Sequence, residues 1–184
     1  FKIKSNFFWV DERCVDPSST DSNFGSANKH FFSKVNISNN NIFRIRGEEK
    51  PEIEASNYTE LLKTKTETIK NIPSLDLCLL GIGGDGHTAS IFPHELKKLS
   101  DRSDCVVGIN PDSGQKRVSL SIKQINNSKE VIFHVCGSGK KDVVDMIISK
   151  RDKYLDLPAS HILPKSKNLS WYLDFDSAET FMGT

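Results

Sequence analysis

No run of about 18 consecutive apolar residues occurs in this 184-residue chain, so no transmembrane helix is expected. No Cys-x-x-Cys pair occurs either. The four cysteines, Cys14, Cys78, Cys105 and Cys136, lie far apart, and no His or Cys pairs stand at ligand spacing. That argues against a disulfide scaffold and against a metal site. Cys78 and Cys136 fall inside apolar strand runs, where a free thiol acts as a small hydrophobe, and a reduced, cytoplasmic compartment is the expectation. A basic stripe is missing too: the lysines are scattered and the formal net charge is +1, so nucleic acid is not an expected partner. The apolar start FKIKSNFFWV lacks a cleavage-site pattern and leads straight into Asp11, which reads as fold rather than signal peptide. With 36% hydrophobic residues the chain can bury a core, and its length fits one domain over residues 1–184.

What is present centres on Leu75 to Pro93, LDLCLLGIGGDGHTASIFP. The apolar residues Leu75, Leu77, Cys78, Leu79 and Leu80 predict a buried parallel strand, and Gly81, Gly83, Gly84 and Gly86 predict a sharp turn with exposed N–H groups. Asp85, His87, Thr88 and Ser90 follow together. In an open α/β sheet, ligands bind just outside such strand ends, although the glycines alone fit a plain structural loop equally well. Further strands are predicted at 7–10, 42–45, 106–109, 118–122, 131–136 and 170–175. Helical spacing links Ala27, Phe31 and Val35, then Ala55, Tyr58, Leu62, Lys65 and Ile69, then Val143 and Ile147, with a terminal helix or tail over 174–184. Strands separated by helices and long crossovers predict an α/β fold, an open, mainly parallel Rossmann-like sheet with helices on both faces.

Four ordered blocks carry a resemblance. GIGGDGHTASIFP, the earlier FFWVDERCVDPSSTDSNF, and the later KRVSL and VCGSGK together resemble the 6-phosphogluconolactonase family, within the group that includes glucosamine-6-phosphate isomerase/deaminase. The resemblance runs from about Phe7 to Ala178. It implies an N-terminally incomplete domain. The family opens with a helix and a strand ending in a Gly-Gly-Ser/Thr turn that helps hold the sugar phosphate, and this chain begins at about the next strand. The sheet is then short of a strand and the site short of one wall.

The implied activity is hydrolysis of 6-phospho-D-glucono-1,5-lactone, a phosphorylated sugar lactone, to 6-phosphogluconate in the oxidative pentose phosphate pathway, with no cofactor and no metal. Such chemistry needs a base for water, a donor near the developing oxyanion and a cation for the phosphate. The resemblance gives water activation to His87, whose alternative is a solvated turn histidine. Asp85 either orients that imidazole or shapes the turn. Asp11 and Arg13 end a strand that lines the same pocket in the family; the alternative for Arg13 is a surface ion pair with Glu12 or Asp16. Asn23 matches a polar site residue of the family, with helix capping as the other reading. Phosphate falls to Arg117 and to Lys140, which opens a helix after Gly137-Ser138-Gly139. Gly83 and Gly84 join the substrate-binding set. Lys116 and Lys141 read as solvated neighbours.

Two other functions remain open at this point. A glucosamine-6-phosphate deaminase typically has a tyrosine after Asp-Glu and a glutamate after the histidine turn, where this chain has Arg13 and Phe92. A sugar-phosphate-binding domain without catalysis fits the missing segment. The resemblance also implies, as a partner, a fused or associated glucose-6-phosphate dehydrogenase.

Overall fold

The computed structural model describes residues 5–99, 102 and 104–182. Aromatic residues start the fold. Strand β1 (Phe7–Phe8) lies parallel to β3 (Ile42–Phe43), with the rings of Phe8 and Phe43 stacked 5.0 Å apart. Past the two intervening residues Trp9 and Val10 the same run has become β2 (Asp11–Arg13) and has changed partner. It now runs antiparallel to β8 (Lys116–Ser119), which also pairs with β7 (Val106–Ile109). At the changeover the Tyr58 hydroxyl serves the Trp9 backbone. It accepts the Trp9 N–H at 2.7 Å and lies 3.2 and 3.0 Å from the carbonyls of Trp9 and Phe43. A buried backbone break left without partners would be costly, so this phenol joins the two sheets as well as filling the core.

A second set is wholly parallel, in the order β10 (Leu169–Leu173), β9 (Val131–Val135), β6 (Cys78–Leu80). Val131, Phe133 and Val135 of the middle strand are buried, and Phe133 stacks on Trp171 at 4.1 Å. A hairpin, β4 (Glu67–Ile69) to β5 (Ile72–Ser74), turns on Lys70 and Asn71, whose φ values of 53° and 61° suit a two-residue hairpin loop. Helix α1 (Asn23–His30) packs on β2, and α2 (Pro51–Lys65) crosses β7 and β8. The shorter helices are α3 (Leu96–Leu99), α4 (Ile122–Ile125), α5 (Lys141–Ile148) and α6 (Glu179–Met182). The α/β class is as expected, with sheets of mixed pairing: parallel around β9 and antiparallel around β8.

Several local expectations shift. The strand foreseen through Ile122 ends at Ser119, because Ser121 and Gln124 form a capping box that starts α4. The helix foreseen through Ile69 stops at Lys65, and Ile69 belongs to the hairpin. Cys136 lies beyond β9 and is exposed. Of the 174–184 segment only Glu179–Met182 is helical, and residues 183–184, like 1–4, lie outside the described residues.

The largest difference concerns the central apolar run. Only Cys78–Leu80 is strand, and Leu79 is 59% exposed while its neighbours are buried. One face of the parallel sheet is open there, carrying Leu79 and Tyr172 beside His134. Among the described residues neither β1 nor β6 takes a second strand on its outer edge. A groove of about 660 Å³ runs between Phe7–Val10 and Ser74–Leu79.

The Phe133–Trp171 stack is the joint of the parallel set. Phe133→Ala should lower unfolding free energy by about 3–5 kcal/mol, read as a fall in urea midpoint at unchanged slope. A loss under about 1 kcal/mol would show that the sheet repacks without it.

Candidate active site at the carboxyl end of the parallel strand

Strand β6 ends at Leu80, and the following loop is stitched to itself. The Thr88 hydroxyl donates to the Gly81 carbonyl at 2.9 Å, Gly83 N–H to His87 O at 2.8 Å, and Gly86 N–H to Gly83 O at 3.0 Å. The imidazole of His87 folds back over this turn. A β-carbon on Gly83 would overlap its Nδ1 and Cε1 and the Asp85 carboxylate, so the position needs glycine for close approach. His87 Nδ1 lies 2.6 Å from Asp85 Oδ1, which also accepts the His87 backbone N–H at 3.1 Å. With Nδ1 carrying the proton toward a carboxylate, Nε2 is the basic nitrogen. Burial pushes the Asp85 carboxyl up, but the hydrogen bonds from His87 and the ring's charge outweigh it and hold the group below its ordinary 3.8.

The facing wall comes from β2 and β8. Arg13 stands directly opposite Arg117 in the antiparallel register, and both line one cleft of about 250 Å³ with Asp11, Asn23, Gly83 and His87. Arg13 donates from Nη1 to the Asp21 carbonyl at 2.7 Å, while its Nε and that of Arg117 are buried with no partner. The surface ion pair with Glu12 or Asp16 is absent among the described residues: Glu12 turns its carboxylate inward and Asp16 binds Ser18. Desolvation and then the Arg13 charge push the Arg117 guanidinium below its usual value, with Asp11 and Asp21 opposing. Phe92, fully buried, floors both sides, its ring 4.8 Å from that of His87 and 5.6 Å from the Arg117 guanidinium carbon.

Asp11 ties the walls together. Its Oδ2 accepts the Ser90 hydroxyl at 2.7 Å, and its Oδ1 and backbone carbonyl receive the Asn23 amide at 3.3 and 2.9 Å. Asn23 is not the cap of α1. Ser22 caps α1 through the Gly25 N–H, and the Asn23 side chain faces the cleft.

Lys140 is not among the residues that line this cleft. It opens α5 after the Gly137–Gly139 turn, whose Gly139 carbonyl would sit 3.6 Å from a β-carbon on Gly84, so the two glycine turns abut. The Gly137 N–H is already taken by Asp174, at 2.9 and 3.1 Å, which leaves that turn less free for an anion than its sequence suggests. Lys116 and Lys141 are engaged at the surface with Glu52 and Glu179. Phe92 as a floor and Glu12 beneath the loop were not visible as site residues in the sequence.

A profile of the glucosamine-6-phosphate isomerases/6-phosphogluconolactonase family matches residues 3–171. The chain belongs to this family. It is 39% identical over 160 residues to a 6-phosphogluconolactonase of Treponema pallidum, covering 86% of this chain and 66% of that protein. A crystal structure of the devB protein superposes with a TM-score of 0.90 at 40% identity, covering 95% of this chain and 73% of the other. The 6-phosphogluconolactonase of Trypanosoma brucei gives 0.83 at 30% identity, again over 95% and 73%. The chain thus spans about two thirds to three quarters of the length of these relatives.

The Asp85 bond carries an acid signature. A carboxyl held below its free value contributes stability that is whole above about pH 4 and lost as pH falls through the lowered folded value. The difference in unfolding free energy between wild type and Asp85→Asn should therefore not shrink from pH 7 to 5, and should shrink below about pH 4. Urea melts at stepped pH read it; a difference that vanishes by pH 5 would contradict the bond.

Proposed function

We propose that this chain hydrolyses 6-phospho-D-glucono-1,5-lactone to 6-phosphogluconate. The observation that carries the reading is the convergence of a carboxylate-bound imidazole and two guanidiniums with unpartnered Nε groups on one cleft. His87 Nε2 takes a proton from water as the water oxygen bonds to the lactone carbonyl carbon. The carbonyl electron pair moves onto oxygen, and Arg13 stabilises that charge. When the tetrahedral intermediate collapses, the ring C–O bond breaks and the imidazolium returns its proton to the departing ring oxygen. Asp85 holds the ring in the tautomer that leaves Nε2 free, and Asp11 and Asn23 meet the sugar hydroxyls. Arg117 takes the phosphate.

Four free cysteines support a reducing, cytoplasmic setting for this reading. A human relative, the GDH/6PGL endoplasmic bifunctional protein, is 31% identical over 175 residues, which make up 22% of its length. On that likeness we extend the proposal to a dehydrogenase as the physical partner of this chain.

A second reading, sugar-phosphate binding without turnover, has one observation in its favour. Val10 and Leu79 border both the cleft and the groove between β1 and β6, so the cleft is open on that side. A lactonase assay beside a binding measurement with 6-phosphogluconate separates the two. His87→Asn should bind with near wild-type affinity and lose about 10²- to 10⁴-fold in turnover once spontaneous lactone opening is subtracted. Arg117→Ala should instead raise half-saturation, by about tenfold or more. Full corrected turnover in folded His87→Asn would remove the general base from the mechanism.

A further inference from the structure

Glu12 is 2% exposed and its carboxylate makes no ion pair among the described residues, although the Arg44 guanidinium lies near enough for the two charges to interact. Its carboxylate is nevertheless saturated. Oε1 accepts the backbone N–H of Arg13 at 2.8 Å and of Asn23 at 2.7 Å; Oε2 accepts the Phe24 N–H at 2.7 Å and the Ser22 hydroxyl at 3.1 Å. A carboxylate offers about four lone-pair directions, and all four are used. Asn23 and Phe24 are the first residues of α1, so the negative charge also sits at the positive end of the helix. With Ser22 accepting the Gly25 N–H, the first three amides of α1 are all occupied from within the chain. No anion can use that helix end, which leaves the arginines to do so.

We infer that Glu12 is the positioning residue of this site: one buried carboxylate sets where Arg13 and Asn23 stand in the cleft. Arg13 is fixed at its backbone N–H, one residue along the strand, and Asn23 at the helix start across the loop. Those two residues supply the guanidinium near the carbonyl and the amide on Asp11, while His87 and Arg117 are held by other elements. The inference rests on the proposed hydrolysis for its kinetic consequence and on hydrogen bonding alone for its structural one.

Glu12→Gln replaces one oxygen with an amide that faces N–H donors and cannot accept from them. Hydrogen exchange at the Asn23 and Phe24 amides should speed up by about tenfold or more, with Val118 and Ser119 little changed. kcat/KM should fall by about tenfold or more, mostly in kcat. In an Arg13→Ala/Asn23→Ala background the same substitution should cost under about threefold, because its effect passes through those two residues. Multiplying losses, or Glu12→Gln activity within about twofold of wild type, would overturn the inference. If Glu12→Gln does not fold, Glu12→Asp, which keeps the charge at shorter reach, is read in the same way. If neither folds, Glu12 is a folding residue and the positioning claim fails. Should the wild-type chain itself lack lactonase activity, the proposed hydrolysis is what fails. The exchange rates and 6-phosphogluconate affinities of the same variants then decide the role of Glu12.

Discussion

Two positive charges set face to face by strand register are the constraint on which this site depends. Antiparallel pairing of β2 with β8 puts Arg13 across from Arg117, and like charges directly opposite destabilise a sheet. Neither Nε finds a partner, and burying an unmet donor costs about 1–3 kcal/mol, more where it is charged. Among the described residues no carboxylate forms an ion pair with either guanidinium, although the charges of Asp11 and Asp21 are felt at Arg117. Asp11, the nearest candidate by sequence, is occupied with Ser90 and Asn23. The cleft is therefore a place where a doubly charged phosphate or a developing oxyanion gains more than it would in water, because it relieves a repulsion already present.

The rest of the architecture serves to hold that pair near the imidazole. Tyr58 lets one run of chain belong to two sheets, carrying β2 from the parallel pairing of its start into the antiparallel pairing that creates the register. Phe92 gives His87 and Arg117 a common floor, so their separation is set by one buried ring rather than by two independent loops. Gly83 removes the one β-carbon that would push the imidazole off its carboxylate.

Much of this was legible before the structure, and the parts that were not share a cause. His87, Asp85, Arg13 and Arg117 were named because they fall at strand ends inside the blocks that carry the family resemblance. Glu12 was hidden because an acid beside an arginine reads as its ion partner until the backbone amides of α1 come into view. The capping box at Ser121 and the Lys70–Asn71 hairpin were missed because each is a local device overriding the periodicity around it. Lys140 was assigned from a Gly-Ser-Gly-Lys pattern whose first amide is occupied by Asp174, a residue too distant in sequence to weigh. The apolar run at Leu75–Leu80 promised burial on both faces, but hydrophobicity measures a preference, and only neighbouring elements decide whether it is met.

The groove between β1 and β6 leaves two strand edges unpaired among the described residues. Each bordering strand presents a row of backbone donors and acceptors to the same gap, flanked by exposed Leu77 and Leu79. Such an edge is a template for any extended peptide of suitable length, including the same segment of another molecule. Among the described residues its rim carries charge: Lys129 bridges Asp76 at 2.8 Å and Glu67 at 3.2 Å, with Lys65 alongside. Salt screens exposed pairs of this kind, so concentrated solutions at high ionic strength are where chains would begin to zip together edge to edge.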